Sequence, residues 1–194
     1  MKPQPQVVPN PYRVLGLPPT ADKDAIKAAY RELARRHHPD HNPDDAQGAA
    51  DRLKRVTAAH ETLGDESRRK ACDAPWLRVR VPRGLVVGSP GPQPGLLARL
   101  LGQCPKDGPG SLYFVYMDAG ITCFRYPKLE LMDQAEVEFR RALAERSTSV
   151  EARFDLALAC YWLGRLDEAR KWLEEVARLE PEDAAVHQMA ASLA

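Results

Sequence analysis

Apolar residues recur at helical spacing in two stretches near the N-terminus. Over residues 22–37 they stand three and four positions apart, on one helix face: Ile26, Ala29, Tyr30, Leu33 and His37. Pro39 disfavours a helical backbone at His38, so this helix is predicted to end there. After a polar loop, a second helical pattern ends at Gly64. The positions that it predicts to face inward are Ala49, Leu53, Val56, His60 and Leu63. The two patterns predict an antiparallel helical hairpin joined by an exposed loop.

The C-terminal third repeats itself with a period of 34 residues. Ala135 and Ala169 are 34 positions apart, as are Val150 and Ala184. Such a period is typical of stacked helical pairs. The sequence predicts one complete pair, preceded by a helix at residues 133–146 and followed by another from about Ala184.

This array is short for a self-supporting repeat, because three units are normally needed to bury a continuous core. The apolar face of the helix at residues 133–146, which includes Val137, Phe139 and Leu143, therefore needs cover. We expect the adjoining middle segment to supply it, rather than a second chain.

The middle of the chain combines helix breakers with aromatic runs. Residues 74–111 contain PRG, SPGPQPG and KDGPG, which disfavour long regular elements, although a short helix is predicted at residues 95–101. Residues 112–117 and 121–126 are rich in apolar and aromatic side chains and flank the turn-forming tripeptide DAG, which predicts a β-hairpin. The predicted fold class is therefore mainly α, with a small β-hairpin-containing or α/β middle segment.

Composition narrows the class of protein. The apolar fraction of 44% and the charged fraction of 28% are those of a globular chain. No apolar run approaches the roughly 20 residues of a spanning helix. The first ten residues lack the apolar stretch of a secretory leader, so we expect a cytoplasmic protein that neither spans a membrane nor is exported. The four cysteines form no CxxC pair, which disfavours a zinc site and favours reduced thiols.

The net charge of +1 hides three unlike blocks. Residues 1–73 carry +2, residues 74–131 carry +4 and residues 132–194 carry −5. None of these balances resembles the strongly basic footprint of a nucleic-acid-binding protein. We therefore expect no nucleic-acid partner.

Candidate chemistry lies on the first predicted helix and the loop after it. Lys27, Arg31 and Arg35 stand four apart, with Arg36 beside them, and form a basic stripe whose simplest interpretation is a solvated helix face. His38-Pro39-Asp40 follows. We do not interpret His38 and Asp40 as a catalytic base and its orienting acid, because we expect neighbours flanking a proline to point apart and no nucleophile stands beside them.

Residues 10–73 resemble the J domain of DnaJ-type co-chaperones. The matching features are Tyr12, Leu15-Gly16, Ala21, Ile26-Lys27, Ala29-Tyr30-Arg31, Leu33-Ala34, His38-Pro39-Asp40, Asn42, Leu53, Val56, Ala59, Leu63, Asp65, Arg69 and Asp73. The departures include Ala28, Glu32 and His41 at positions that are commonly basic, and His60 and Cys72 at positions that are usually tyrosine. The first three lower the positive charge of the contact face, and we interpret the last two as packing variants.

The resemblance implies that the chain docks on a DnaK-type heat-shock ATPase and favours its hydrolysis-competent state. The residues that it assigns to this contact are Lys27, Arg31, Arg35, Arg36, His38, Pro39 and Asp40. In that contact Asp40 would accept from a partner guanidinium, and the basic stripe would steer toward an acidic patch. The reaction would belong to the partner, so no cofactor, metal or catalytic residue is expected in this chain.

Residues 152–181 resemble a tetratricopeptide repeat. The features are Phe154, Leu156, Ala159, Tyr161, Gly164, Leu166, Ala169, Trp172, Val176, Leu179 and Pro181. Gly164 suits the turn between two helices, and Pro181 prevents the second helix from continuing. The resemblance implies a protein-interaction role, with an unidentified client or partner bound through residues 132–194.

The predicted organisation has five parts. They are an N-terminal tail at residues 1–9, a J domain at 10–73, a Pro/Gly-rich connector at 74–111, a β-hairpin segment at 112–131 and tetratricopeptide-like helices at 132–194. The leading hypothesis is a non-enzymatic co-chaperone. The alternative is a scaffold or assembly protein whose J-like hairpin does not stimulate ATP hydrolysis. We do not predict an enzyme built on the middle segment, because the sequence offers no nucleophile, metal cluster or phosphate-binding loop for one.

Overall fold

A computed structural model describes residues 9–83, 111–125 and 129–194. The predicted N-terminal tail, apart from its last residue, and the predicted helix at residues 95–101 lie outside these ranges. No strand occurs in the described ranges, and no helix within them is long and apolar enough to span a membrane. The α-helices, in chain order, are α1 Pro11–Leu15, α2 Lys23–Arg36, α3 Ala46–Gly64, α4 Glu66–Asp73, α5 Leu112–Arg125, α6 Leu129–Glu145, α7 Val150–Trp162, α8 Leu166–Leu179 and α9 Ala184–Ser192.

The predicted helical hairpin is present as α2 and α3. The Asp22 carboxylate caps α2 by accepting from the backbone N–H of Ala25 (2.7 Å), and α3 ends at Gly64 as predicted. His38 has φ −68° and ψ 133°, the extended backbone expected before a proline. His60 stacks on Tyr30 with ring centroids 4.2 Å apart, which agrees with its interpretation as a packing residue.

The C-terminal helices form two antiparallel pairs followed by α9. The complete pair predicted from the period is α7 and α8, joined at Gly164. Gly164 has φ +77°, in the left-handed region that favours glycine, and a Cβ added there would lie 2.9 Å from Pro18. This turn therefore requires glycine for its backbone and for its close approach to the N-terminal half.

The predicted β-hairpin is wrong, because residues 112–125 form the continuous helix α5. Its buried side chains recur at helical rather than alternating spacing: Tyr113, Phe114, Met117, Ile121 and Phe124. Gly120, interpreted from sequence as part of a turn, lies inside the helix, and a Cβ there would sit 2.5 Å from the Phe139 ring. The close approach of α5 to α6 thus explains the glycine that suggested a turn.

Helix α5 supplies the first member of the pair that sequence analysis had left incomplete. Its antiparallel packing on α6 places Gly120 against Phe139, which is fully buried. The predicted apolar face of α6 is wrong at one position, Val137, which is 45% exposed. The middle segment therefore covers α6, as expected, but with a helix instead of a hairpin.

The N-terminal and C-terminal helices share one core. Asn10 donates from its backbone to Ser192 O (2.8 Å), and its amide Nδ2 donates to the Tyr161 hydroxyl (3.5 Å). Trp76, in the short 3₁₀ turn Ala74–Leu77, stacks on Tyr161 with centroids 3.8 Å apart and planes 8° from parallel. The two halves are therefore packed against each other rather than tethered.

Candidate functional site

The basic stripe lies on the solvent side of α2. Lys27, Arg31 and Arg35 are exposed, and their side chains have no ion-pair partner in the described part of the chain. Arg36 differs, because it pairs with Glu32 one turn earlier (2.6 Å). The structure thus brings three free cations into one row and leaves the fourth predicted member locally neutralised.

The loop after α2 is closed by hydrogen bonds from one side chain. Asn42 Nδ2 donates to Arg36 O and to His38 O, both at 2.9 Å, so the amide holds the end of α2 against the tripeptide that follows it. From the sequence, Asn42 is only one of the matching features of the J-domain resemblance. Its role in holding the loop is a positioning role that no spacing pattern could have indicated.

His38 and Asp40 turn toward each other across Pro39, so the expectation that they point apart is wrong. His38 Nδ1 accepts from the backbone N–H of Asp40 (3.2 Å) and starts the short 3₁₀ turn Pro39–His41. The Asp40 carboxylate is 3.6 Å from the same nitrogen and 83% exposed. The carboxylate accepts no hydrogen bond in the described part of the chain and is therefore available to a donor from outside.

A second polar network fixes α1 and the following loop onto α4. Arg69 donates to the Tyr12 hydroxyl (2.8 Å) and to the carbonyls of Pro19 (3.0 Å) and Ala21 (2.7 Å), while the Tyr12 hydroxyl donates to Asp73 (3.2 Å). Burial, with a smaller contribution from the Asp73 charge, raises the pKa of Tyr12, so the hydroxyl stays protonated. The network holds α1 and the loop that precedes α2 onto α4.

One group in the described ranges has metal-ligand geometry, namely Glu136, Cys160 and Glu168. Glu136 is already bound by the guanidinium groups of Arg140 and Arg165. Burial raises the pKa of the Cys160 thiol to about 11, which disfavours the thiolate that a metal requires. Two adjacent cations and a protonated thiol suit an ion-pair network between α6, α7 and α8 better than a cation site.

The contacts between the two halves leave the predicted site open. They include contacts of Asn10 and Arg13 near α1 and of Trp76 and Arg80 after α4. Meanwhile His38, Asp40 and the three stripe residues stay exposed in the packed arrangement. A large partner can therefore reach the loop and the stripe together without separating the halves.

Comparison with known proteins agrees with both resemblances. A family described as "DnaJ domain" matches residues 10–73, and one described as "Tetratricopeptide repeat" matches residues 131–193. No solved structure matches the chain.

Among curated proteins, "Chaperone protein dnaJ 39" of Arabidopsis thaliana is 50% identical over 64 residues, which is 33% of this chain and 15% of that protein. "Chaperone protein DnaJ" of Acidithiobacillus ferrooxidans is 52% identical over 62 residues, 32% of this chain and 16% of that protein. "DnaJ homolog subfamily C member 5 homolog" of Drosophila melanogaster is 48% identical over 62 residues, 32% of this chain and 24% of that protein. The chain thus spans about a sixth to a quarter of the length of these relatives. It carries a DnaJ-type J domain at residues 10–73 and a tetratricopeptide-like repeat at residues 131–193.

Proposed function

We propose that this chain is a co-chaperone that recruits a DnaK-type heat-shock ATPase and stimulates its ATP hydrolysis. J domains have such ATPases as partners at the level of the family. The observation that carries the proposal is the exposed His38-Pro39-Asp40 loop, held by Asn42 beside three unpaired cations. A docking surface needs this combination of a fixed shape and unsatisfied charge.

The mechanism is a shift in the partner's conformational equilibrium. A protein that binds the hydrolysis-competent state of an ATPase better than its other states populates that state by the difference in affinity and no more. In this mechanism Asp40 accepts from a partner guanidinium, and Lys27, Arg31 and Arg35 attract an acidic patch. In this proposal the chain itself performs no catalysis and acts in the cytoplasm.

The C-terminal helices supply the second half of the proposed function. Helices α5 to α9 hold a protein partner or client, while the packed arrangement keeps the J domain at a set position relative to it. We propose residues 74–83 as the join between the two modules. The role does not involve nucleic acid or a metal.

Single-turnover ATP hydrolysis by a DnaK-type chaperone tests the proposal. The wild-type chain should accelerate hydrolysis, and His38→Gln or Asp40→Asn should remove the acceleration while the circular dichroism stays unchanged, because both side chains are exposed. Asp44→Asn is the matched control, since Asp44 lies exposed in the same loop and has no side-chain partner in the described ranges. Its acceleration should equal that of wild type.

The alternative is a scaffold that binds through the J domain without stimulating hydrolysis. The extensive packing between the halves favours it, because that packing gives the J domain a structural role in this chain. An unchanged hydrolysis rate with the wild-type chain, together with measurable binding, would select this alternative.

A further inference from the structure

The segment Trp76–Arg80, which leaves the 3₁₀ turn Ala74–Leu77, lies along α7. Trp76 stacks on Tyr161, and its carbonyl oxygen accepts from the indole Nε1 of Trp162 (2.7 Å). Four residues later, Arg80 donates from its backbone N–H to the Asp155 carboxylate (2.6 Å). The two positions on α7, Trp162 and Asp155, are seven residues apart, which is about 10 Å along the helix. The segment therefore runs antiparallel to the helix with a contact at each end.

The far end of the segment is a guanidinium site. The Arg80 guanidinium contacts Glu180 through one terminal nitrogen and Asp183 through the other. Its central carbon lies 4.2 Å from the centroid of the Phe154 ring. Two carboxylates and an aromatic face match the flat, forked guanidinium, whereas the point charge of a lysine would satisfy only part of the set.

The site also includes a buried carboxyl group, that of Asp155 on α7. Asp155 is fully buried on α7, its Oδ1 accepts from the Arg80 backbone, and its Oδ2 has no hydrogen-bond partner in the described part of the molecule. A buried acceptor costs free energy unless a donor meets it, and here the donor comes from the segment Trp76–Arg80. The face of α7 thus receives a backbone N–H of this segment as well as one of its side chains.

Neither family match contains the segment Trp76–Arg80. The J-domain match ends at residue 73 and the repeat match begins at residue 131, so Trp76 and Arg80 lie between the two modules. Each group that they present is one that a separate peptide can also present: an aromatic ring, a backbone N–H and a guanidinium. We propose that this face of α7, with Glu180 and Asp183, is a binding site for peptides that carry an aromatic residue four positions before an arginine, and that Trp76–Arg80 occupies it in cis.

The inference rests on the interaction role proposed for the C-terminal helices and is independent of ATPase stimulation. Because the segment Trp76–Arg80 is covalently joined to its site, its effective concentration is of millimolar order for a short flexible linker. A peptide in trans therefore competes poorly with the intact segment. Weakening the cis ligand should open the site.

The experiment measures binding of a labelled peptide, residues 74–83, to the full chain. Arg80→Ala should bind it at least ten-fold more tightly than the wild-type chain does. Arg78→Ala is the matched control and should behave as wild type, because Arg78 is exposed and its side chain has no partner in the described ranges. A second peptide, with alanine in place of Arg80, should bind the Arg80→Ala chain at least ten-fold more weakly than the first.

The inference is overturned if the Arg80→Ala chain keeps its helical signal and binds neither peptide, or binds both equally. Should that variant fail to fold, the wild-type chain provides the test through the Trp162 indole N–H resonance, which reports the bond to the Trp76 carbonyl. Millimolar peptide should shift this resonance, and the alanine peptide should not. The absence of any shift would refute the site. Each chain's stimulation of ATP hydrolysis is recorded separately, so failure of peptide binding is distinguishable from failure of the proposed co-chaperone activity.

Discussion

Charged side chains have opposite environments on the α2 face and on the α7 face of this molecule. On α2, Lys27, Arg31 and Arg35 are exposed and have no ion-pair partner in the described ranges. On α7, the charge of Arg80 meets two carboxylates, a ring and a buried carboxyl within one small area. Unsatisfied groups on a rigid surface are available to a partner, while satisfied groups hold the chain to itself. The exposed α2 face is therefore the surface proposed to recruit a partner, whereas the α7 face holds the two halves of the chain together.

The packing of the C-terminal helices should dominate stability, and the largest loss is expected when α5 is removed. A fragment of residues 133–194 lacks α5, so Phe139 and Ala142, both fully buried in the chain, lose their cover. Since such arrays are stabilised by interfaces between neighbouring helices, we expect this fragment to lose most of its helicity or to self-associate. Circular dichroism and sedimentation measure both outcomes. A fragment of residues 111–194 retains α5 and should stay helical, and a stable monomer of 133–194 would refute the prediction.

The second change removes one side chain of the α7 face. Tyr161→Ala removes a fully buried ring that stacks on Trp76, and it should lower the free energy of unfolding by about 3–5 kcal/mol. Arg31→Ala, on the exposed face, should change the same quantity by no more than about 0.5 kcal/mol. Urea unfolding of both variants gives the comparison. Similar values for the two would mean that the faces do not differ in the way described.

The third prediction concerns pH. Burial raises the pKa of Asp155 well above that of an ordinary carboxyl group, and the opposing effects of the Arg80 N–H and charge are smaller. The folded chain therefore keeps a proton that the unfolded chain has already released, so stability should fall as the pH rises above the usual carboxyl range. Asp155→Asn, which retains an acceptor for Arg80, should remove this fall.

Urea unfolding at several pH values between 4 and 8 measures the effect. Asp44→Asn serves as the control because Asp44 is exposed, and its pH profile should follow that of wild type. A wild-type profile equal to that of Asp155→Asn would show that the buried carboxyl does not titrate in this way.

The smallest expected effect is on the rate of association through the exposed α2 face. Arg35→Gln should slow association with a DnaK-type ATPase by about two- to ten-fold, because it removes an unpaired charge that steers the encounter. Arg36→Gln should have a smaller effect, since Glu32 already neutralises that cation. Stopped-flow association rates at low salt show the difference, and added salt should reduce it. Equal effects, or rates independent of salt, would remove the stripe from the contact.

Local patterns predicted the hairpin because each of its signals acts within a few residues. The apolar stripe of α2, the backbone restriction before Pro39 and the end of α3 at Gly64 are all local properties, and the structure confirms each of them. The period of 34 residues likewise predicted α7, α8 and α9 from sequence alone. The same local argument failed for His38 and Asp40, whose mutual orientation depends on a backbone hydrogen bond across Pro39.

Helix α5 shows where local patterns are insufficient. Its aromatic residues favour a strand and its DAG tripeptide favours a turn, yet the buried positions have helical spacing. The deciding interaction is with Phe139, which fills the space left by the absent side chain of Gly120. Tertiary packing thus outweighed intrinsic preference.

By itself, the amino-acid sequence determined the J-domain hairpin, its exposed loop and stripe, and the repeat helices, because periodicity, proline and glycine act through the nearby backbone. Only the tertiary structure decided that Trp76 and Arg80 seal the join and that Asp155 is buried beneath them. Those contacts connect residues 75 to 103 positions apart. Stacking, a shared guanidinium and a buried carboxyl depend on surfaces brought together by folding, and no spacing along the chain encodes which surfaces will meet.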